Sequence, residues 1–255
     1  MPTSEPVHVL ITGASSGIGA ALALAYARPG VHLSLGGRDQ QRLAEVAARL
    51  AARGATSSIA SVDVRAADAV ADWVAASDSH APIDLLIANA GISGGTYGGP
   101  ESAEQTRAIF AVNLDGVLNV TLPAIPRMIA RGKGQIAIIS SLAGYRGVPG
   151  APAYSGSKAA VRAWGEALRA DLAPKGVKVN VVMPGFIKTP MTDANDFRMP
   201  FLMPAEKAAD IIRRGLAANR ARIAFPFPTA FLAWAMSALS PVIADPILGL
   251  LPKKN

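Results

Sequence analysis

Residues 7–19 read VHVLITGASSGIG. The run 7–12 is apolar and ends in a glycine-rich turn, the mark of a buried strand. Residues 17–28, rich in Ala and Leu, read as the helix that follows. Glycines at 13, 17 and 19 permit a tight turn and close approach of the backbone to a pyrophosphate. The helix N-terminus adds free N–H groups and the positive end of its dipole. The spacing is GxxxGxG, not the GxGxxG of the commoner dinucleotide fingerprint. Taken alone, it also fits an ordinary strand-to-helix turn.

Outward from that turn, strands and helices alternate. Further strands are expected at 31–36, 58–62, 83–88, 135–140 and 177–183. Helices are expected at 40–53, 66–76 and 152–172, with one long, mainly helical segment at 102–131. Leu43, Val46, Ala47 and Leu50 recur at helical spacing. The strands read as continuous apolar runs, as when helices cover both sheet faces. The pattern gives one α/β domain over 1–255, a Rossmann-like, doubly wound parallel sheet with helices on both faces. Residues 184–204 hold four prolines and read as irregular, and 186–204 form a candidate substrate lid.

Composition narrows the function. Of 255 residues, 51% are apolar and 17% charged, which supports a buried core and opposes disorder. The chain has no cysteine, which removes disulfides, thiolate metal sites and cysteine nucleophiles. His8, His32 and His80 are too far apart along the chain for zinc-ligand spacing, so no metal is expected. The net charge of +7 invites a nucleic-acid reading. No basic run exceeds two residues, however, so no nucleic-acid partner is expected. The N-terminal stretch shows neither a positive n-region nor an apolar run of signal length, which points to a cytoplasmic location.

The second strand ends at Gly36-Gly37-Arg38. No acid stands at Gly36 or Gly37 to take a ribose 2′-OH, and the Arg38 guanidinium suits a 2′-phosphate. NADP(H) is therefore favoured over NAD(H). Asp39 stays open as a ribose ligand if the strand ends one residue later, and Arg38 as a plain surface charge.

Tyr154 and Lys158 stand four apart near a helix start and share a face. An ammonium beside the phenol favours the phenolate and lowers its pKa from about 10, making Tyr154 a usable acid or base. Ser141 follows the fifth strand, where open parallel sheets bind ligands, and its hydroxyl can hydrogen-bond a substrate carbonyl.

With these residues in place, the chain resembles the short-chain dehydrogenase/reductase superfamily in its single-domain form, over residues 7–220. The matching motifs are TGASSGIG at 12–19, Asp63-Val64, Asn89-Ala90-Gly91, Asn113, Ser140-Ser141, YSGSK at 154–158 and Pro184-Gly185. Ala88 departs from a common asparagine. The resemblance implies hydride transfer between a nicotinamide and a carbonyl or secondary alcohol, with no metal. Tyr154 would be the acid or base. Lys158 would lower its pKa and bind the nicotinamide ribose. Ser141 would orient the substrate oxygen, and Asn113 would hold a water in a proton relay ending at Lys158. Gly13, Ser15, Ser16, Gly17, Ile18 and Gly19 would cradle the pyrophosphate. Asp63 and Val64 would meet the adenine, and Asn89, Ala90 and Gly91 would line the cofactor. Pro184, Gly185, Ile187 and Thr189 would clasp the nicotinamide. The resemblance also implies a homodimer or homotetramer through the Asn113 and Tyr154 helices, where Ala159, Ala160, Ala163 and Ala167 permit close approach.

The lid residues Met191, Phe197, Met199, Phe201, Leu202 and Met203 suggest a hydrophobic carbonyl or alcohol substrate, or simply pack the lid onto the domain. Residues 223–255 form an apolar C-terminal extension whose only charge before residue 253 is Asp245. Its proline-free, uncharged stretch, 229–240, is short of the roughly 20 residues a membrane span needs. It would pack on its own domain or close the substrate pocket, fill a subunit interface, or lie on lipid with Phe231 and Trp234 inserted and Lys253-Lys254 near phosphates. Two other functions stay open. One is reduction of an acyl chain on an acidic carrier protein met by Arg127, Arg131, Lys133 and Arg169. The other is a non-catalytic dinucleotide sensor, which has no need of Tyr154, Lys158, Ser141 and Asn113 together.

Overall fold

The computed structural model describes residues 5–95, 100–193, 195, 197 and 199–249. The first half runs β1 (His8–Thr12), α1 (Gly17–Tyr26), β2 (His32–Gly37), α2 (Gln40–Ala51), β3 (Thr56–Ser61), α3 (Ala67–His80) and β4 (Leu85–Ala88). A long helical run follows: α4 (Ala103–Phe110), a π-helical turn (Ala111–Asp115), α5 (Gly116–Thr121) and α6 (Ala124–Ala130). Next come β5 (Gly134–Ile139), a 3-10 turn (Leu142–Gly144), α7 (Pro152–Leu172), a second 3-10 turn (Ala173–Lys175) and β6 (Val177–Pro184). The chain ends in β7 (Ile187–Lys188), α8 (Pro190–Asp193), β8 (Met203–Pro204), α9 (Ala205–Ala217), β9 (Arg222–Phe225), α10 (Phe227–Ser237) and α11 (Pro241–Leu248).

Seven strands form one sheet in the order β3-β2-β1-β4-β5-β6-β9, and every pairing is parallel. This is the doubly wound sheet the sequence predicts. Successive side chains of a strand face opposite sides. Accordingly Val9 and Ile11 join one core, with Leu22, Leu43, Leu50 and Ile212 of α1, α2 and α9. Leu10 joins the other, with Val70, Val74, Val120, Met128 and Val161 of α3, α5, α6 and α7. The strand order reverses between β1 and β4, which opens a crevice at the carboxyl ends of the strands.

Several expectations need correction. The sequence pattern marks six strands, and the sheet has seven. Residues 223–225 belong to β9, which pairs with β6 and buries Ile223 and Phe225. The apolar character there serves the sheet, so the part of the extension outside the sheet starts after β9. Helix α9 carries no assignment from the sequence, yet it buries Ala208, Ala209, Ile212 and Leu216. β3 is an edge strand with mostly exposed residues, TSSIAS, not an apolar run covered on both faces. Residues 184–204 are not wholly irregular, because Ile187 and Lys188 pair with Met203 and Pro204.

The run Ala103–Ala130 is long and apolar enough to cross a membrane by composition alone. Its Val117, Val120, Ala124 and Met128 are instead buried in the second core.

Candidate active site

The turn after β1 requires its glycines for different reasons. Gly13 has φ +64° and Gly17 φ +53°, the left-handed region that L side chains rarely adopt. A Cβ on Gly13 would also come within 2.9 Å of the Ala90 Cα. Ser16 precedes α1 without capping it through its side chain, so the helix N–H groups face the crevice. Gly19 is different: a Cβ there would strike the Gly13 carbonyl oxygen. It seats α1 on the turn, one residue behind the cleft lining.

The loop after β4 is tied to the same turn. The Thr12 hydroxyl oxygen accepts from the backbone N–H groups of Asn89 at 3.0 Å and Ala90 at 3.1 Å. Asn89 Nδ2 donates to the carbonyls of Thr12 at 3.0 Å and Gly13 at 3.2 Å.

A cleft of about 280 Å³ opens over these loops. From the glycine turn it takes Gly13, Ser15, Ser16, Gly17 and Ile18, and from the ends of β2 and β3 it takes Arg38, Asp63 and Val64. Asn89, Ala90 and Gly91 form its floor, with Tyr154 and Lys158 on one side and Pro184, Gly185, Ile187 and Thr189 on the other. Sequence reading missed Val62, Ile92, Val112, Ile139, Pro190 and Thr192, which also line it, as do Ser140 of the motif and Met191 of the lid. Most of them adjoin a motif residue at a strand end, and that position was the available signal.

At the β2 end the two candidate ribose-side residues separate. Asp39 caps α2, accepting from the Arg42 N–H at 3.0 Å and pairing with its guanidinium at 3.2 Å. It does not line the cleft, and Arg38 does. Across from Arg38, Asp63 pairs with Arg65 at 2.6 Å. That bond holds the Asp63 carboxyl below its usual range, and Arg38 adds a smaller pull.

The chemical groups sit on α7 and the π turn, which pack against each other. Lys158 is buried, and its Nζ donates to the Ile139 carbonyl at 3.0 Å. Burial pushes its pKa down to about 8. The ammonium lies 5.8 Å from the centre of the Tyr154 ring. Tyr154 does not show the lowered pKa expected from its lysine. Burial raises it, and the Ser141 hydroxyl offsets only part of the rise. In this arrangement the lysine directs its donor to a carbonyl, and loss of water around the phenol dominates.

Asn113 is fully buried. Its Oδ1 accepts from the Ile92 N–H at 2.8 Å, and its Nδ2 donates to the Ile92 carbonyl at 2.9 Å and to Ser157 Oγ at 3.1 Å. A Cβ on Gly91 would lie 3.2 Å from Asn113 Oδ1 and 3.3 Å from Lys158 Nζ, so these groups converge behind the cleft floor. Neither Asn113 nor Ser141 lines the cleft itself. Ser141 stands beside the phenol, where its oxygen accepts from the Ala143 N–H at 3.2 Å.

The residues fit a nicotinamide dinucleotide. Glycines leave bare backbone at the turn, an uncapped helix N-terminus faces the cleft, and a cation stands at the far end. Among the described residues no group of three His, Asp or Glu could hold a metal ion.

The lid's apolar residues divide. Met191 lines the cleft, and Met203 is buried in the first core. Phe197 packs edge-on against Phe186 at 5.9 Å, while Phe201 and Leu202 are exposed. The cations of the carrier-protein reading are already engaged. Arg127 and Arg131 pair with Asp78, Lys133 pairs with Asp84, and Arg169 bonds the Val179 carbonyl and Asn219.

Comparison with known proteins agrees with this geometry. The family model for short chain dehydrogenase matches residues 7–198. A Myxococcus xanthus protein described as an uncharacterized oxidoreductase is 39% identical over 222 residues, covering 87% of this chain and 88% of its own. A short-chain dehydrogenase from Sphingobium yanoikuyae, solved in complex with NADPH, superposes with a TM-score of 0.80 at 28% identity over 96% of both chains. One from Mycobacterium paratuberculosis, bound to NAD, gives 0.76 at 25% identity, covering 85% of this chain and 94% of that one.

Proposed function

The chain belongs to the short chain dehydrogenase family, and from that premise we propose an NADP(H)-dependent enzyme for apolar ketones or secondary alcohols, with Tyr154 as its acid and base. The observation that carries the reading is that Tyr154 and Lys158 line the cleft that the glycine turn opens, with Asn113 behind its floor and Ser141 beside the phenol.

The nicotinamide, when bound, supplies or accepts the hydride. In reduction Tyr154 gives its phenolic proton to the carbonyl oxygen, and in oxidation it takes the alcohol proton. Ser141, beside the phenol, donates to the same oxygen and fixes its position. Lys158 is a buried cation whose pKa of about 8 lets it exchange a proton near neutral pH. It stabilises the phenolate formed when Tyr154 has given its proton away. The Asn113 amide makes three of its four hydrogen bonds to Ile92 and Ser157, and through them it holds the floor at 91–92 against Lys158.

Arg38 supports the choice of NADP. It is the first residue past β2 and lines the cleft, while the nearby acid, Asp39, is occupied as a helix cap. Met191 on the cleft wall supports an apolar substrate. Ala163 and Ala167 are exposed along α7, which suits close packing of a second copy in a homo-oligomer.

The test is titration with NADPH and NADH, followed by nicotinamide fluorescence, with Arg38→Asp in parallel. A charge-assisted contact to the 2′-phosphate is worth about 2 kcal/mol, so NADPH should bind roughly thirtyfold tighter and the variant should lose that preference. Equal binding of the two, or a preference the variant keeps, would overturn the assignment of Arg38. A series of ketones of rising apolar size then reads the substrate class. Best turnover with small charged ketones would refute the apolar reading.

A further inference from the structure

Beyond β9 the chain carries a large apolar surface. On α10, Phe227 is 78% exposed and Trp234 51%, and on α11 Val242 is 83% exposed. Phe231, Leu232, Ile243 and Ile247 are exposed beside them. Single exposed apolar side chains are ordinary, but a contiguous set marks an interaction surface. Phe227, Phe231 and Trp234 form an aromatic ladder along α10, with ring centres 6.2 and 5.9 Å apart.

The same stretch lacks free charge. Between residues 223 and 249 only Asp245 is ionisable, and it pairs with Arg146 at 3.3 Å. Arg146 also donates to the carbonyls of Met236 and Leu239 at the end of α10. The Thr229 and Ser237 hydroxyls donate to carbonyls of their own segment, Pro226 at 3.1 Å and Trp234 at 2.7 Å. The surface therefore offers little for hydrogen bonding across a protein interface, where about one bond per 100–200 Å² is usual.

We propose that α10 and α11 are a lipid-docking surface that lies in the plane of an anionic membrane. At 11 and 8 residues the helices are too short to span a bilayer, so they lie in its interface. Phenylalanine and tryptophan suit that depth. The net charge of +7 complements anionic headgroups. Lys253 and Lys254 follow α11 in the sequence, outside the described residues.

The surface also adjoins the chemistry. α10 packs on the turn Leu142–Gly144, which directly follows Ser141. Asp245 and Leu248 of α11 border a cavity of about 370 Å³ with Val148, Pro152 and Ser155 at the start of the Tyr154 helix.

The test is co-sedimentation of the full chain with vesicles of phosphatidylcholine and phosphatidylglycerol, beside the double variant Phe231→Gln, Trp234→Gln. The full chain should sediment with the vesicles, and the variant should bind at least about tenfold more weakly, since two large apolar side chains no longer insert. An unchanged thermal unfolding midpoint shows that the variant folds. A chain that stays in the supernatant, or a variant that binds equally well, overturns the proposal. So does a variant that only shifts the lipid-free chain to a smaller species in light scattering, which would make this face a contact between copies. No step uses cofactor or turnover, so failure here is separate from failure of the oxidoreductase reading.

Discussion

Asn113 holds both backbone polar atoms of Ile92, accepting from its N–H at 2.8 Å and donating to its carbonyl at 2.9 Å. The π turn around Asn113 places this amide against α7 and the cleft floor together. Such turns occur often at functional sites, because the wider ring re-aims a side chain. Asn113→Ala would leave two backbone groups and Ser157 Oγ without this partner. The expected loss is about 2 kcal/mol, a fall of roughly 4–8 °C in the unfolding midpoint, together with weaker dinucleotide binding. Calorimetry and fluorescence titration read the two effects. A loss of stability with unchanged binding would show that Ile92 does not depend on Asn113 to support the floor.

Tyr154→Phe removes the proton and keeps the ring. Turnover should fall by about two to four orders of magnitude, the usual worth of a positioned acid or base. Dinucleotide binding should remain, because the ring still covers the cleft. Ser141→Ala should cost less, because the phenol keeps its own proton and loses only its neighbour. If Tyr154→Phe retains near-normal turnover, the acid–base assignment is wrong.

Gly19→Ala and Gly147→Ala separate a structural glycine from a tolerant one. A Cβ on Gly19 meets the Gly13 carbonyl and lies 2.7 Å from Asn89 Nδ2, both fixed parts of the turn, whereas one on Gly147 meets nothing within 4 Å. Overpacking of this kind costs about 1–3 kcal/mol. Gly19→Ala should lower the unfolding midpoint and dinucleotide affinity together, with Gly147→Ala neutral in both. Equal behaviour of the two would mean that α1 can move off the turn freely.

The parts of the site legible in the sequence are those that one short segment supplies. The glycine turn and the Tyr154–Lys158 pair lie at a strand end and on one helix face, so spacing points to them, while Asn89–Gly91 came with the family resemblance. The helix at 152–172 has the bounds that the sequence implies. What stayed hidden depends on contacts between distant segments. β9 is four residues long and runs straight into Pro226, and only its pairing with β6 identifies it. The upward shift of Tyr154 comes from burial, which spacing does not encode. Where β2 stops, and the cap that Asp39 makes on α2, were likewise out of reach of spacing.

The histidines show the same blindness and yield a further prediction. Their spacing along the chain spoke only against a zinc site and gave no sign that His8 and His32 are register partners on adjacent strands. Their rings are 5.1 Å apart, and the His80 ring lies 4.7 Å from His32. His8 Nδ1 donates to the Ala81 carbonyl at 2.7 Å, which leaves Nε2 to accept from Ser34 Oγ at 2.9 Å in the neutral ring. Burial lowers the pKa of His8, with His80 adding to the fall and Asp84 and Asp78 opposing it. Burial lowers that of His32 as well, and His8 and His80 push the same way. In the unfolded chain both titrate near 6.5, so below that pH the unfolded state binds more protons and stability falls as pH falls. Asp78 and Asp84 stay ionised through this window, since their ion pairs with Arg131 and Lys133 outweigh burial and hold them below the ordinary value. The unfolding midpoint should therefore drop by several degrees between about pH 7 and pH 5. His32→Gln should flatten the drop, because it removes one titrating ring and a like charge facing His8. Thermal unfolding across that range reads both effects, and a profile with the same slope in the variant would assign the acid sensitivity to other groups.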